Sequence, residues 1–126
     1  MTPIRLAEKF AQFSDAWSPK IVAALNGQHV KLVKLRGAFV WHHHANEDEL
    51  FLVVRGTLRM EFSERAGGPV NRTETIREGE MIVVPRGVEH RPCADEEVCV
   101  LLFEPAATLN TGSAGGERTV AQPAWI

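Results

Sequence analysis

Along most of the chain, apolar and polar residues alternate in short runs that are separated by turn residues. The clearest run is residues 58–63, in which every second residue is apolar. Because successive side chains of a β-strand point to opposite faces, this pattern predicts a strand with one buried face. Similar runs recur at intervals of about eight to twelve residues, which is typical of a small β-sandwich or barrel.

The same reading predicts a series of strands through the middle of the chain. The predicted strands are residues 21–25, 28–35, 39–44, 49–54, 58–63, 70–76, 81–84 and 98–103. Asn26-Gly27 predicts a tight hairpin between the first two, because both central residues of a type I′ turn have positive φ. The continuous apolar run at 98–103 predicts a closing strand that is buried on both faces.

The two ends of the chain differ in composition from the middle. Residues 1–15 predict a short helix, with Thr2 as the N-cap and Pro3 as its first residue. Residues 16–105 form the predicted β-barrel domain. Residues 106–126 form a C-terminal tail that begins rich in Ala, Gly, Thr and Ser and is predicted to be irregular.

The tail nevertheless ends on two large apolar residues, Trp125 and Ile126. Leaving such a side chain in water costs about 2–3 kcal/mol. The pair therefore either docks, on the barrel or on a partner subunit, or lies at a frayed end, and the sequence leaves both open.

Composition narrows the class of protein. The chain has 126 residues, a size that fits one domain, with 44% hydrophobic residues and a net charge of −2. This charge argues against nucleic-acid binding, which needs clustered Lys and Arg. No apolar run approaches the roughly 20 residues of a membrane helix, and no secretory signal is recognisable, so we expect a cytoplasmic protein. Cys93 and Cys99 are predicted to be free thiols.

Two stretches carry the candidate chemistry. The first contains His42, His43 and His44, followed by three carboxylates within residues 47–49. In a strand, His42 and His44 would share one face and His43 the other, and two imidazoles with a nearby carboxylate can bind a metal. A polar surface patch is the alternative. The second stretch, residues 79–90, predicts a turn, a buried strand, a Pro-x-Gly turn and a further histidine.

Together these stretches resemble the two motifs of the cupin family. The first motif has Gly, His-x-His, Glu and a closing Gly, matched here by Gly37, His42, His44, Glu49 and Gly56. The second has Gly, a strand, Pro-x-Gly and His, matched by Gly79, Pro85, Gly87 and His90. Two positions depart from the pattern: Gly37 stands one residue closer to the first His, and Ala94 replaces an Asn.

The resemblance covers residues 28–105 and implies the fold. That fold is all-β, a cupin-type double-stranded β-helix or jelly-roll barrel, here with a short N-terminal helix. Cupins also imply a homodimer, for which the early hairpin is a candidate contact.

The resemblance further implies that four side chains converge inside the barrel and hold one divalent transition metal, which could be Fe, Mn, Ni, Co or Zn. These are His42, His44, Glu49 and His90. Glu47 and Asp48 are alternatives for the carboxylate. We favour Glu49, because it begins a strand and stands at the family's position.

Residues on the barrel strands and near His90 are candidates for a substrate pocket. They are Phe39, Phe51, Met60, Met81, Arg91, Cys93 and Phe103. Ordinary core packing is the alternative for the apolar ones, and a solvated turn charge is the alternative for Arg91.

A complete ligand set favours a metal-dependent enzyme, dioxygenase- or isomerase-like, acting on a small oxygenated molecule. A non-catalytic ligand-binding or sensing cupin is the alternative, and a purely structural metal is a third possibility. Motifs for covalent hydrolysis and phosphoryl transfer are absent from the sequence.

Overall fold

A computed structural model of the protein describes residues 1–126 and contains one helix and seven strands. They are α1 (Leu6–Phe10), β1 (Lys20–Leu25), β2 (Gln28–Ala38), β3 (Glu49–Arg55), β4 (Leu58–Ser63), β5 (Arg72–Ile76), β6 (Met81–Val84) and β7 (Glu89–Pro105). The predicted all-β fold with a short N-terminal helix is confirmed. No helix has the length and apolar character needed to cross a membrane.

The long strand β7 joins the two halves of the barrel. Its first half pairs with β4, and its second half lies between β2 and β3, all antiparallel. β1 continues the sheet beyond β2, β6 continues it beyond β3, and β5 pairs only with β4. Because one 17-residue strand contributes to both halves, the sheet closes around a single interior.

The predicted hairpin between β1 and β2 is present. Asn26 has a φ of 49° and Gly27 a φ of 77°, and the register places Leu25 opposite Gln28. Two consecutive positive φ values are the signature of the type I′ turn.

Alternation along β2, β3 and β7 directs one set of side chains inward. Val33, Val53 and Val100 lie opposite one another on adjacent strands and are at most 2% exposed. On the outer face, Phe10 of α1 packs with the buried Leu32 and Cys99. The inner face of the apolar run of β7 is buried as predicted, whereas Leu101 and Phe103 on the outer face are only half-buried.

Three predicted boundaries are wrong. α1 begins at Leu6, and its N-cap residue Arg5 makes no side-chain capping bond. Residues 39–44 form no regular strand, only a single bridge between His42 and His90. The ladder between β2 and β7 shifts register between Leu35 and Gly37, resumes at Gly37, and ends at Ala38 opposite Cys93. β7 also begins nine residues earlier than predicted, at Glu89.

The C-terminal tail lies on the barrel. Ile21 N–H donates to Ala124 O at 2.8 Å, and Ile126 N–H donates to Ile21 O at 3.0 Å. The Trp125 ring meets the edge of His29 with ring centroids 5.7 Å apart. The terminal pair therefore docks on the barrel through its backbone, and the Trp125 side chain stays 60% exposed.

Candidate metal centre

Four buried side chains meet at one end of the barrel interior. His42 and His44 lie in the segment after β2, Glu49 is the first residue of β3, and His90 is the second residue of β7. Each is at most 4% exposed. One ligand atom from each lies within 4.8 Å of the other three. The structure therefore brings together all four predicted ligands.

Backbone carbonyls orient two of the imidazoles. The Nδ1 atom of His42 lies 2.9 Å from Val40 O, and that of His90 lies 2.8 Å from Val88 O. A carbonyl can only accept, so each Nδ1 carries the proton and each Nε2 keeps its lone pair. Fixing the tautomer in this way is what a metal-binding histidine requires.

Three ligand atoms in the cluster have no hydrogen-bond partner: His44 Nε2, His90 Nε2 and Glu49 Oε1. Glu49 Oε1 lies 3.3 Å from the first and 3.8 Å from the second. A buried polar group without a partner costs about 1–3 kcal/mol, so several at one point need an explanation. Imidazole nitrogens and a carboxylate oxygen fit a divalent transition metal, which would satisfy all of them.

The protonation states also suit a metal. Burial and the neighbouring His90 lower the pKa of His42 to about 4. Burial alone would raise the pKa of Glu49, but the neighbouring polar groups of Glu104, His44 and His90 outweigh it and hold that pKa well below its ordinary range. At neutral pH, His42 is therefore neutral and Glu49 is ionised, the forms that bind metal.

Two residues beside the cluster were missed by sequence reasoning. Lys31 Nζ and Glu104 Oε1 form an ion pair of 2.8 Å, with side chains 2% and 1% exposed. Burial and the adjacent Glu49 carboxylate raise the pKa of Glu104 well above its ordinary value. The available signal was a charged residue in register with inward-facing apolar residues of β2 and β7.

A small cavity of about 30 Å³ borders the cluster. Its walls include Trp17 and Phe39, whose rings stack with centroids 4.7 Å apart, together with Phe51 and Leu102. The tail contributes Asn110. A cavity of this size holds one or two water molecules, so a larger molecule needs the walls to move.

The predicted pocket residues fall into three groups, of which the first faces the interior. Phe39 and Phe51 line the cavity. Met60 is fully buried in the hydrophobic core and does not reach the cavity.

Met81 and Phe103 do not face the interior. The register sets Met81 opposite Leu52 and Phe103 opposite Leu50, on the outer face, and Met81 is 61% exposed. Their neighbours Ile82 and Leu102 point inward instead. A one-residue shift reverses the face of a strand residue, and an uninterrupted apolar run does not reveal its register.

Arg91 and Cys93 are held by Glu61, away from the cavity. Arg91 Nη2 lies 2.7 Å from Glu61 Oε1, and its guanidinium sits 4.9 Å from the Trp41 ring centroid. Cys93 Sγ donates to the same oxygen at 3.2 Å. Burial and Glu61 raise the pKa of the Cys93 thiol to about 11, so it is protonated and unreactive.

The remaining polar residues of the histidine stretch point elsewhere. Asp48 accepts hydrogen bonds from the backbone and guanidinium of Arg86. His43 Nδ1 lies 3.0 Å from Glu89 Oε1 and 3.2 Å from Ser113 Oγ. Of the three adjacent carboxylates, only Glu49 belongs to the cluster.

A family model for the cupin domain matches residues 29–103. The chain belongs to the cupin family. The matched region contains all four clustered residues.

Known relatives of this cupin cover most of its length. A cupin-2 domain containing protein from Shewanella frigidimarina is 43% identical, with a TM-score of 0.75, over 81% of this chain and 93% of that one. An uncharacterized protein, YdbB of Bacillus subtilis (strain 168), is 31% identical over 67% of this chain, and the match spans only 63% of YdbB.

A hydroquinone 1,2-dioxygenase, PnpCD in complex with Fe³⁺, has a TM-score of 0.75 at 14% identity. The likeness covers 84% of this chain and 33% of that one. At this identity, it shows a shared fold alone.

Proposed function

We propose that this cupin is a metal-dependent enzyme, dioxygenase- or isomerase-like, that acts on a small oxygenated molecule in the barrel. The observation that carries the proposal is the cluster of buried ligand atoms without hydrogen-bond partners, set beside a cavity. Four protein ligands close a tetrahedral metal site, whereas a metal with octahedral coordination keeps positions for substrate beside the same four ligands. The neighbouring cavity provides space for such a position.

The Fe³⁺ complex of a dioxygenase with this fold supports a redox-active or Lewis-acidic metal here. His42, His44, Glu49 and His90 would hold the ion, and a bound ion would polarise an oxygen atom of the substrate. His42 and Glu49 are in the required protonation states at neutral pH.

The rest of the cavity acts by binding and by excluding water. The stacked rings of Trp17 and Phe39 offer a flat apolar surface, which suits an uncharged or aromatic molecule. The residues that line the cavity outside the ligand set carry no charge, and the one cation against its aromatic walls is Arg118, whose guanidinium lies 5.3 Å from the Trp17 ring centroid and 5.8 Å from that of Phe39.

The first test is the metal content of protein purified without chelator, measured by plasma mass spectrometry. We expect about one equivalent of Fe, Mn, Ni, Co or Zn per chain. The metal then selects the activity screen: oxygen uptake for Fe, Ni or Mn, and isomerase assays for Zn. No metal in the purified protein, and none taken up on reconstitution, would overturn the proposal.

A ligand-binding or sensing role is the second candidate, favoured by the small cavity volume. A cavity of about 30 Å³ admits no organic substrate without rearrangement. A compound that raises the melting temperature of the metal-loaded protein without being converted to product would favour this role.

Three further expectations stay predictions. We propose a homodimer, a cytoplasmic location and no nucleic-acid partner. Analytical ultracentrifugation checks the first, and a monomer at micromolar concentration would contradict it.

A further inference from the structure

A row of charged side chains crosses three adjacent strands behind the metal centre. In β7, Glu104 pairs with His29 of β2, and Phe103 pairs with Leu50 of β3. Continuing the second register by one residue sets Glu49 opposite Glu104. Lys31 lies diagonally across from Glu104 on the same inward face, within reach of a long side chain.

Burying this row of charged side chains in a barrel interior costs folding free energy. Lys31 and Glu104 are at most 2% exposed, and charges of the same sign directly opposite one another destabilise a sheet. Replacing a buried ion pair with apolar residues is often neutral or stabilising. Adjacent inward positions on the same strands carry Val33 and Leu102, so stability alone does not explain the charges.

The two oxygens of Glu104 have different surroundings. Oε1 accepts a hydrogen bond from Lys31 Nζ at 2.8 Å. Oε2 is buried, and no other N–H or O–H group of the protein donates to it. The continued register places the Glu104 carboxyl beside that of Glu49 on the same inward face. Lys31 thus fixes one side of Glu104, and the other side is left to Glu49.

The Glu49 carboxylate also has two oxygens, of which one faces the histidines. Its Oε1 faces His44 and His90, at 3.3 and 3.8 Å from their Nε2 atoms. A carboxylate can rotate about its last torsion, whose energy profile is broad. A polar group packed behind Glu49 would hold the carboxylate in the orientation that directs Oε1 toward the histidines.

We propose that Lys31 and Glu104 are positioning residues that orient the Glu49 carboxylate toward the metal and so set the metal affinity. Their role rests on the proposed metal-dependent function. Neither residue lines the cavity or belongs to the ligand cluster, so both act through Glu49. Partners of this kind typically change metal affinity about 10- to 100-fold when they are replaced.

The test compares two double variants that differ only at position 104. Both carry Lys31→Met, which removes the buried cation. One carries Glu104→Gln, which keeps a hydrogen-bonding group opposite Glu49, and the other carries Glu104→Met, which has a similar shape and no such group. The affinity of each purified protein for Co²⁺ is measured by competition with a chelating dye, and the visible absorption spectrum of bound Co²⁺ reports its coordination.

We expect the methionine double variant to bind Co²⁺ about 10- to 100-fold more weakly than the wild type, with an altered spectrum. The glutamine double variant should lie between the wild type and the methionine double variant in affinity, because it keeps a polar group beside Glu49 and lacks only the contact from Lys31. Val100→Ala is the control, because it removes buried atoms from the same sheet without contacting Glu49. It should lower thermal stability and leave Co²⁺ binding unchanged.

Each contrary result has a separate meaning. Equal Co²⁺ affinity in both double variants would overturn the positioning role while leaving the proposed function intact. If the methionine variant does not fold, Glu104→Leu replaces it, and failure of both beside a folded glutamine variant would make residue 104 a structural requirement and overturn the inference. A wild-type protein that binds no Co²⁺ would overturn the proposed function and this role with it.

Discussion

The barrel interior has an apolar end and a charged end, although the same three strands build both. β2, β3 and β7 each contribute one inward-facing residue to either end. The apolar set is Val33, Val53 and Val100, and the charged set is Lys31, Glu49 and Glu104. Every one of these side chains is at most 3% exposed, so the two ends differ in chemistry and not in burial.

On each of the three strands, the inward residue at one end stabilises the fold, and the inward residue at the other end lies at or beside the candidate metal site. Burying the valines removes apolar surface from water and stabilises the fold, at about 25 cal/mol per Å². The charged end loses hydration, and several of its polar atoms have no partner within the protein. A bound metal would satisfy such atoms, and for this reason we propose the site at the charged end of the barrel.

The largest effect is expected from His42→Ala/His90→Ala, which removes two ligands from the charged end. The loss of two of four ligands should weaken Co²⁺ binding on the order of a thousandfold or more, while the apolar end keeps the fold. His43→Ala is the matched control, because His43 is adjacent in sequence but lies outside the cluster. Competition titration and circular dichroism measure both properties. Unfolding of the double variant at ambient temperature would indicate a structural metal.

The reverse experiment removes atoms from the apolar end. Leu58 is fully buried in the hydrophobic core, so Leu58→Ala should lower the free energy of unfolding by about 2–5 kcal/mol. Co²⁺ affinity should not change, since no ligand contacts that side chain. Urea denaturation of the metal-free protein gives the stability, with Val70→Ala, at an exposed position, as the control. A parallel fall in Co²⁺ affinity would show that the two ends are not separable.

Acid should lower the free energy of unfolding of the metal-free protein, because His42 at the charged end gains a proton more readily when unfolded. The pKa of His42 is about 4 when folded, against about 6.5 when unfolded, so only the unfolded state binds this proton between those values. Stability is therefore present above pH 6.5 and is lost as pH falls towards 4, by up to about 3 kcal/mol. The difference in the free energy of unfolding between wild type and His42→Gln, taken at each pH, separates the contribution of His42 from that of Glu49 and Glu104. Identical pH profiles would contradict it.

Sequence reasoning was most reliable where a local pattern determines the structure. The alternation at 58–63 and the turn at Asn26-Gly27 predict β4 and the first hairpin, because period and positive φ are local requirements. The resemblance of two sequence motifs to those of cupins implies the four residues that the barrel brings together. Even without a regular strand at 39–44, His42 and His44 are buried together and His43 points away.

Features set by tertiary register could not be obtained in this way. Apolar residues fill consecutive positions around Met81 and Phe103, so nothing local distinguishes the inward face from the outward one. Lys31 and Glu104 are 73 residues apart in sequence and become a pair only when β2 and β7 align. A charged residue at an inward position of such a strand is the signal worth seeking.

The smallest effect is expected from a substitution in the C-terminal tail, which lies at the rim of the charged end. Gly112 has a φ of +49°, and a Cβ there would lie 2.3 Å from His43 O, so Gly112→Ala must displace the tail. Gly115→Ala is the matched control: its φ is +61°, but a Cβ would meet nothing within 4 Å. Both substitutions should cost about 1–2 kcal/mol from the left-handed backbone alone.

Only Gly112→Ala should also speed the release of bound Co²⁺ to excess chelator, because the displaced tail would uncover His44. Equilibrium affinity should stay close to that of the wild type, since no ligand is lost. Stopped-flow absorption measures the release rate for the wild type and the two variants. Equal rates in all three proteins would mean that the tail does not limit access to the charged end, and that the cavity opens by movement of its aromatic walls instead.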